Sequence, residues 1–171
     1  MKIKFLTTLI LCIGLQGCIT APASTEISAQ EYRARIVITD DEFTKITTFK
    51  GTNLLPGGLD NYFFVRAFKD ERNNKFNYQI YVNVTYYGEW IHFSSAYDSN
   101  GEVLDFSIID RKVNSCLSST GKCILNEVIG INMTQEQFEK YVTSGIKFKI
   151  LGKNGERIYF IPPAYVESFI S

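Results

Sequence analysis

The sequence contains a single histidine, His92, so any histidine-dependent catalysis would have to use it. The nearest hydroxyl on its predicted strand belongs to Ser94, and residues two apart on a strand lie roughly 6–7 Å apart, beyond hydrogen-bond reach. The G-x-S-x-G motif of serine hydrolases is also absent. We therefore interpret His92 as a surface or half-buried residue rather than a catalytic one.

The sequence also lacks an excess of charge of either sign. Its 18 lysine and arginine residues balance 18 aspartate and glutamate residues, and no basic stripe stands out. Nucleic acid is therefore not an expected partner. With 45% hydrophobic and 14% aromatic residues, the chain has enough apolar material for a packed core, which excludes bulk disorder.

No later segment contains 18 consecutive apolar residues, and the only long apolar run lies near the start, from Phe5 to Leu15. About 11 residues rise only ~16 Å as a helix, which is too short to cross a hydrocarbon core of ~30 Å. The run follows Lys2 and Lys4 and precedes a small residue, Gly17. These features are typical of a secretory signal peptide.

The signal peptide ends in Leu15-Gln16-Gly17-Cys18, which resembles the lipobox of bacterial lipoproteins. The resemblance covers the first 18 residues alone. It implies cleavage before Cys18, a lipid on the Cys18 thiol and attachment to a membrane of the cell envelope. Because Ile19 rather than aspartate follows the cysteine, it also implies the outer membrane. An ordinary secretory peptide with an incidental cysteine is the alternative.

Cysteine is scarce, with four residues in the chain. Cys12 would leave with the signal peptide and Cys18 would carry lipid, which leaves Cys116 and Cys123. In an oxidising periplasm we expect this pair to form a structural disulfide worth about 2–2.5 kcal/mol. A redox pair would need closer C-x-x-C spacing, and a zinc site would need more ligands. We expect no metal and no cofactor.

Beyond the signal peptide (residues 1–17), the chain divides into two parts. Residues 18–32 are small and polar after the lipidated cysteine, which predicts a flexible tether. Residues 33–171 predict one globular domain. Strict alternation from Phe76 to Tyr86 indicates an antiparallel strand with one buried face. We predict a mainly β fold, either an antiparallel β-sandwich or a strongly curved sheet, with one or two short helices; an α+β fold is the alternative.

Short connections predict that the four strands between residues 76 and 132 form a meander in which each strand pairs with the next. The stretch from Trp90 to Tyr97 predicts a strand with its odd-numbered residues toward the core. Asn100-Gly101 predicts a hairpin turn, and Thr134 predicts the cap of a helix. The remaining predicted elements are strands at 35–39, 43–50, 62–69, 102–113, 124–132, 146–150 and 157–161, and a terminal helix at 164–170.

Aromatic residues are the feature of the domain that leaves most room for function. Tyr81, Tyr87, Trp90 and Tyr97 are candidates for a surface that recognises a sugar or a protein, because aromatic faces offer large contact area at low entropy cost. The alternative, which we favour on sequence grounds, is ordinary packing between strands.

Acidic residues give no convincing site. Asp40-Asp41-Glu42 fits a solvated turn better than a cation site, because adjacent strand residues point to opposite faces. Acid–base work on envelope polymers would need a carboxylate pair, for which Glu89 and Asp105 are candidates. The sequence therefore predicts a non-enzymatic, lipid-anchored binding or scaffold module of the periplasm, with an envelope protein or glycan as partner. An envelope-polymer hydrolase and an exclusion or immunity lipoprotein are the alternatives.

Overall fold

The computed structural model describes residues 26–55, 57, 60–118 and 121–170. The predicted signal peptide and Cys18 lie outside the described residues. No helix within them is long and apolar enough to cross a membrane. In chain order the described elements are α1 (Ala29–Arg33), β1 (Val37–Asp41), β2 (Ile46–Lys50), β3 (Tyr62–Asp70), β4 (Lys75–Gly88), β5 (Phe93–Asp98), β6 (Val103–Cys116), β7 (Cys123–Thr134), α2 (Gln135–Glu139), β8 (Ile146–Gly152), β9 (Gly155–Ile161) and α3 (Pro163–Glu167).

The nine strands form one antiparallel sheet in the order β1-β2-β3-β4-β7-β6-β5-β8-β9, and the sheet does not close into a barrel. It folds back on itself. The ring of Phe63 on β3 lies 5.0 Å from Tyr159 on β9 and 6.3 Å from Phe148 on β8, although four strands separate β3 from β8 in the sheet order. The predicted mainly β fold is therefore confirmed, in the form of a strongly curved antiparallel sheet.

The core fills the concave face of this sheet. Along β4, Tyr78, Ile80, Val82 and Val84 are buried, which confirms the alternation predicted for this strand. The helices close the ends of the core, and the ring of Phe138 on α2 stacks on Tyr78 with centroids 4.2 Å apart. Side chains on the opposite, convex face of β3, β4 and β7 do not take part in this core.

The predicted meander is wrong in its first pairing, since β4 does not pair with β5, whereas the predicted pairings of β5 with β6 and of β6 with β7 are present. β4 pairs with β3 and β7, whereas β5 pairs with β6 and β8. The chain leaves β4 at Gly88 (φ +117°) and bends sharply at His92, which has a φ of +55°. These two left-handed residues turn β5 away from the open edge of β4, and β7 occupies that edge instead.

The strand predicted from Trp90 to Tyr97 begins later, at Phe93. An irregularity in its pairing with β8 falls between Phe93 and Ser95. One extra residue reverses the faces of the strand beyond it, so Ala96 and Asp98 are buried instead of Ser95 and Tyr97. The prediction of odd-numbered residues toward the core therefore holds only for the first part of this stretch.

Part of the predicted tether is helical. The hydroxyl of Ser28 accepts a hydrogen bond from the Glu31 N–H at 3.3 Å, and the Glu31 carboxylate accepts one from the Ser28 N–H at 2.9 Å, which together form a capping box. Tyr32 is buried, with its ring 4.9 Å from Tyr165 on α3. The last residues of the predicted tether therefore pack against α3, and the described residues contain three short helices rather than the one or two predicted.

A fully buried carboxylate, that of Glu127 on β7, holds the start of β5 in place. Its Oε1 accepts hydrogen bonds from the Tyr86 hydroxyl at 2.6 Å and the His92 N–H at 3.0 Å. Its Oε2 accepts from the Phe93 N–H at 3.2 Å and from Nε of half-exposed Arg111 at 2.7 Å. Burial and the hydrogen bond to Glu127 raise the pKa of Tyr86 above its usual value. We call this group of five residues the Glu127 clamp.

Two predicted local features are present. The Asp98 carboxylate accepts from the Asn100 N–H at 2.9 Å, and Gly101 has a φ of +84°, so Asn100-Gly101 forms the hairpin turn between β5 and β6. Cys116 and Cys123 face each other across β6 and β7 and are joined by a disulfide with an S–S distance of 2.00 Å.

We predict that Glu127→Ala lowers the free energy of unfolding by about 3 kcal/mol, because it leaves the charge of Arg111 and two backbone N–H groups without their acceptor. Glu127→Gln keeps the shape and one acceptor and should cost about 1–2 kcal/mol. Urea unfolding measures both. Exposed Glu136→Gln on α2 is the control and should stay within about 0.5 kcal/mol of the parent. An unchanged midpoint for Glu127→Ala would contradict the clamp.

We predict that the double variant Cys116→Ser, Cys123→Ser loses about 2 kcal/mol of stability, because the unfolded chain gains the freedom of an open loop. Urea unfolding before and after addition of dithiothreitol measures the effect. The reductant should destabilise the parent by the same amount and leave the double variant unchanged. Equal midpoints for oxidised parent and double variant would show that the bridge contributes nothing.

Candidate binding surface

A row of five polar side chains crosses the convex face of the sheet, one from each of five neighbouring strands. The strand register places Lys50 of β2 opposite Arg66 of β3, Arg66 opposite Gln79 of β4, Gln79 opposite Asn132 of β7, and Asn132 opposite Asp105 of β6. We call these residues the polar row. Its two cations lie at one end and its carboxylate at the other.

Four members of the polar row are joined by hydrogen bonds. Arg66 donates to Oε1 of Gln79 from Nε at 2.9 Å and also from one terminal guanidinium nitrogen. Gln79 Nε2 donates to Oδ1 of Asn132 at 2.6 Å, and Asn132 Nδ2 donates to the Asp105 carboxylate at 3.1 Å. Every bond runs in the same direction, from the guanidinium towards the carboxylate, which fixes the orientation of both amides.

Three aromatic rings lie beside the row. Phe64 and Tyr81 face each other across β3 and β4 with centroids 4.8 Å apart, and Tyr62 lies 6.3 Å from each of them. The three ring planes are within 20° of parallel. Phe64 is buried, while Tyr62 and Tyr81 are half-exposed. We call these three residues the aromatic cluster.

The two cations of the row rest on aromatic rings. Lys50 Nζ lies 4.7 Å from the centroid of Phe64, and the Arg66 guanidinium lies 5.1 Å from Phe68 and 5.2 Å from Tyr81. These are distances at which a cation is attracted to a ring. Burial lowers the pKa of Arg66, but an arginine stays protonated in proteins.

Neither Lys50 nor Arg66 has a carboxylate within ion-pair distance among the described residues. Like charges directly opposite each other on neighbouring strands destabilise a sheet. The Lys50–Arg66 pair therefore carries two positive charges that the described part of the domain leaves uncompensated. Lysine and arginine donors form charge-assisted hydrogen bonds with anionic groups.

Gly130 on β7 leaves space beside the polar row, because it has no side chain. A Cβ atom there would come within 2.7 Å of Gln79 Nε2 and of the Ser107 hydroxyl, so only glycine lets these side chains lie over the strand. The Ser107 hydroxyl uses that space to donate to the Gly130 carbonyl at 3.1 Å. On the other side of the row, a depression of about 330 Å³ is lined by residues that include Phe68, Gln79, Asn132 and Asp105.

The four aromatic residues proposed from the sequence are not brought together. Tyr81 belongs to the aromatic cluster, whereas Tyr87 is exposed six residues further along β4. Trp90 lies in the connection after β4, with its ring 6.1 Å from exposed His92, and Tyr97 lies on β5. No ring contact among the described residues joins any two of the four. One of them, Tyr81, therefore contributes to the candidate surface.

The proposed carboxylate pair is also separated. Gly88, which precedes Glu89, lies opposite Cys123 at one end of β7, and Asp105 lies opposite Asn132 near the other end. Nine residues of strand separate these positions, which is roughly 30 Å. Acid–base hydrolysis of a glycosidic bond needs two carboxyl groups less than about 10 Å apart. Glu89 and Asp105 cannot act as such a pair.

The acidic run near the start of the domain forms a turn. The Asp41 carboxylate accepts from the N–H groups of Phe43 at 2.9 Å and Thr44 at 3.2 Å. The Thr44 side chain and, after it, these two backbone groups lower the pKa of Asp41. The Asp40 carboxylate accepts from the Thr47 hydroxyl at 2.7 Å. The carboxylates thus serve the β1–β2 turn, and no group of three metal-ligating side chains occurs in the described parts of the chain.

Sequence reasoning missed most of the polar row. Alternation along β3 could have placed Tyr62, Phe64 and Arg66 on one face, because Phe63 and Val65 are its core residues. It could not have placed Asn132 beside Gln79, because that contact depends on β7 lying next to β4. The predicted meander put another strand there.

We predict that Gly130→Ala destabilises the domain by about 1 kcal/mol, because the new methyl group displaces Gln79 and weakens its bonds to Arg66 and Asn132. The same change made in a Gln79→Ala background should cost at least about 0.5 kcal/mol less, which a double-mutant cycle by urea unfolding measures. Strictly additive changes would show that Gly130 does not make room for Gln79.

Comparison with known proteins identifies no relative. No protein-family model, no curated protein and no solved structure matches this chain. The convex surface must therefore be interpreted from its own contacts.

Proposed function

We propose that this chain is a lipid-anchored lipoprotein of the bacterial outer membrane, and that its domain is a non-catalytic binding or scaffold module facing the periplasm or the cell surface. The polar row and the aromatic cluster form its recognition surface. The observation that carries the proposed binding role is the pair of uncompensated cations, Lys50 and Arg66, which lie over aromatic rings at the β2–β3 end of the polar row.

The chemistry of this surface suits recognition. Half-exposed Tyr62 and Tyr81 offer apolar area with little rotamer entropy to lose, and aligned amides beside them offer oriented donors and acceptors. Sheet residues hold these groups in place more firmly than loop residues would. Within the row the carboxylate of Asp105 accepts from a single amide, so it keeps free acceptor sites for a ligand.

The anchor is compatible with such a role. Residues 19–28, ten in number, separate Cys18 from α1. A chain of that length spans at most roughly 35 Å, so a domain tethered through Cys18 would stay close to the bilayer. Its partners would then be the membrane, reached through the lipid, and an envelope protein or glycan within that reach.

We predict that Cys18→Ser releases the full-length protein from the membrane fraction and abolishes incorporation of labelled palmitate, because the thiol that accepts the lipid is gone. Fractionation of cells expressing each form measures the release. Cys12→Ser is the matched control and should remain lipidated and membrane-bound. If the Cys18→Ser protein stays in the membrane fraction, or the parent takes up no palmitate, the anchor is wrong.

A further inference from the structure

We propose that the recognition surface binds an acidic oligosaccharide, one whose sugar rings carry carboxylate groups. This inference rests on the proposed function, because it names the ligand class of the same surface. In the complex, a ligand carboxylate lies between Lys50 and Arg66, a sugar ring lies against Tyr62 and Tyr81, and hydroxyl groups extend along the polar row to Asp105.

The cationic end of the row fits a carboxylate. Arg66 commits Nε and one terminal nitrogen to Gln79, which leaves the other terminal nitrogen of its planar fork for a ligand. Lys50 stands directly opposite on β2 and adds three rotatable donors. An anion bound between them would pair with both cations and offset the loss of solvent that burial imposes on Arg66.

The rest of the surface fits a sugar. The rings of Tyr62 and Tyr81 are half-exposed and stacked, with planes 13° apart and centroids 6.3 Å apart, so their exposed parts offer apolar area against which a sugar ring packs. After the bonds within the row, Gln79 and Asn132 each keep one amide N–H, and Asp105 keeps acceptor sites, so both kinds of group are present for hydroxyls, which donate and accept. The row crosses four inter-strand spacings, roughly 19 Å, and so accommodates several linked sugar units.

Other anionic partners fit less well. An extended peptide binds a sheet by adding to a free edge, but β3, β4 and β7 are paired on both sides. Nucleic acid needs a larger basic footprint than two cations. A small inorganic anion would use Lys50 and Arg66 and leave the aromatic cluster without a role.

The charge gradient of the row also sets the direction of binding. Asp105 repels a carboxylate at the β6 end, so the acidic group must lie over β2 and β3. A saccharide with its charge esterified would keep the stacking and the hydroxyl contacts but lose the interaction with Arg66 and Lys50. Charge can therefore be tested apart from ring shape.

The test is isothermal titration calorimetry on the full-length protein in detergent at low ionic strength, with trigalacturonate, trimannuronate and the methyl ester of each as probes. We expect at least one of the two acids to bind about tenfold or more tightly than its ester. Arg66→Gln should weaken that binding by about tenfold or more. Lys147→Gln, which removes an exposed lysine from β8, is the control and should change it less than about twofold.

A second variant distinguishes loss of a binding contact from misfolding of the domain. Tyr81→Ala should weaken the acid and its ester alike, by about fivefold or more, with the circular dichroism spectrum of the parent retained. The inference is overturned if neither acid binds, if acid and ester bind equally, or if inorganic phosphate binds as tightly as the acid. These outcomes leave palmitate labelling and the Cys18→Ser fractionation unaffected, so failure of the ligand and failure of the anchor are distinguishable.

Discussion

The structure depends above all on one buried carboxylate, that of Glu127, and on the four groups that surround it. A lone charge in the core of a small β domain would be prohibitive. Here the charge is matched by Arg111 and by donors from Tyr86, His92 and Phe93, all between 2.6 and 3.2 Å. Two of these donors are backbone groups at the point where the chain leaves one layer of the curved sheet for the other. The carboxylate therefore fixes where that turn occurs.

The same arrangement explains why β7 lies beside β4. Because the connection after β4 is bent at His92 and bonded to Glu127, β5 cannot continue along the β4 edge. The edge is filled by β7, whose alternation then points Glu127 inward while Gly130 and Asn132 face outward. The inner clamp and the outer polar row are thus two faces of one strand, and the register that satisfies one also assembles the other.

Local patterns predicted local structure well, and long-range pairing poorly. The alternation of β4, the Asn100-Gly101 turn and the cap at Thr134 each depend on residues close in sequence, and all three are present. The pairing of β7 with β4 could not be predicted, because it depends on contacts between Glu127 and residues about 35 positions away. From the sequence alone, a charged residue within an apolar run is interpreted as a surface residue, because its buried partners are not known. The polar row was missed for the same reason, since Asn132 and Gln79 are 53 positions apart.

An arginine is paired with a carboxylate on one face of the sheet, and an arginine on the other face has no such partner among the described residues. This contrast is the strongest physical argument for a ligand. Inside, Arg111 stands opposite a carboxylate, which is what stability requires of a guanidinium in a sheet. Outside, Arg66 occupies the equivalent cross-strand position but faces Lys50, and no carboxylate among the described residues approaches either. An acidic residue on β2 would compensate Arg66 and stabilise the fold. A sequence that instead places a second cation there gives up that stability, and such losses are typical of sites kept for binding.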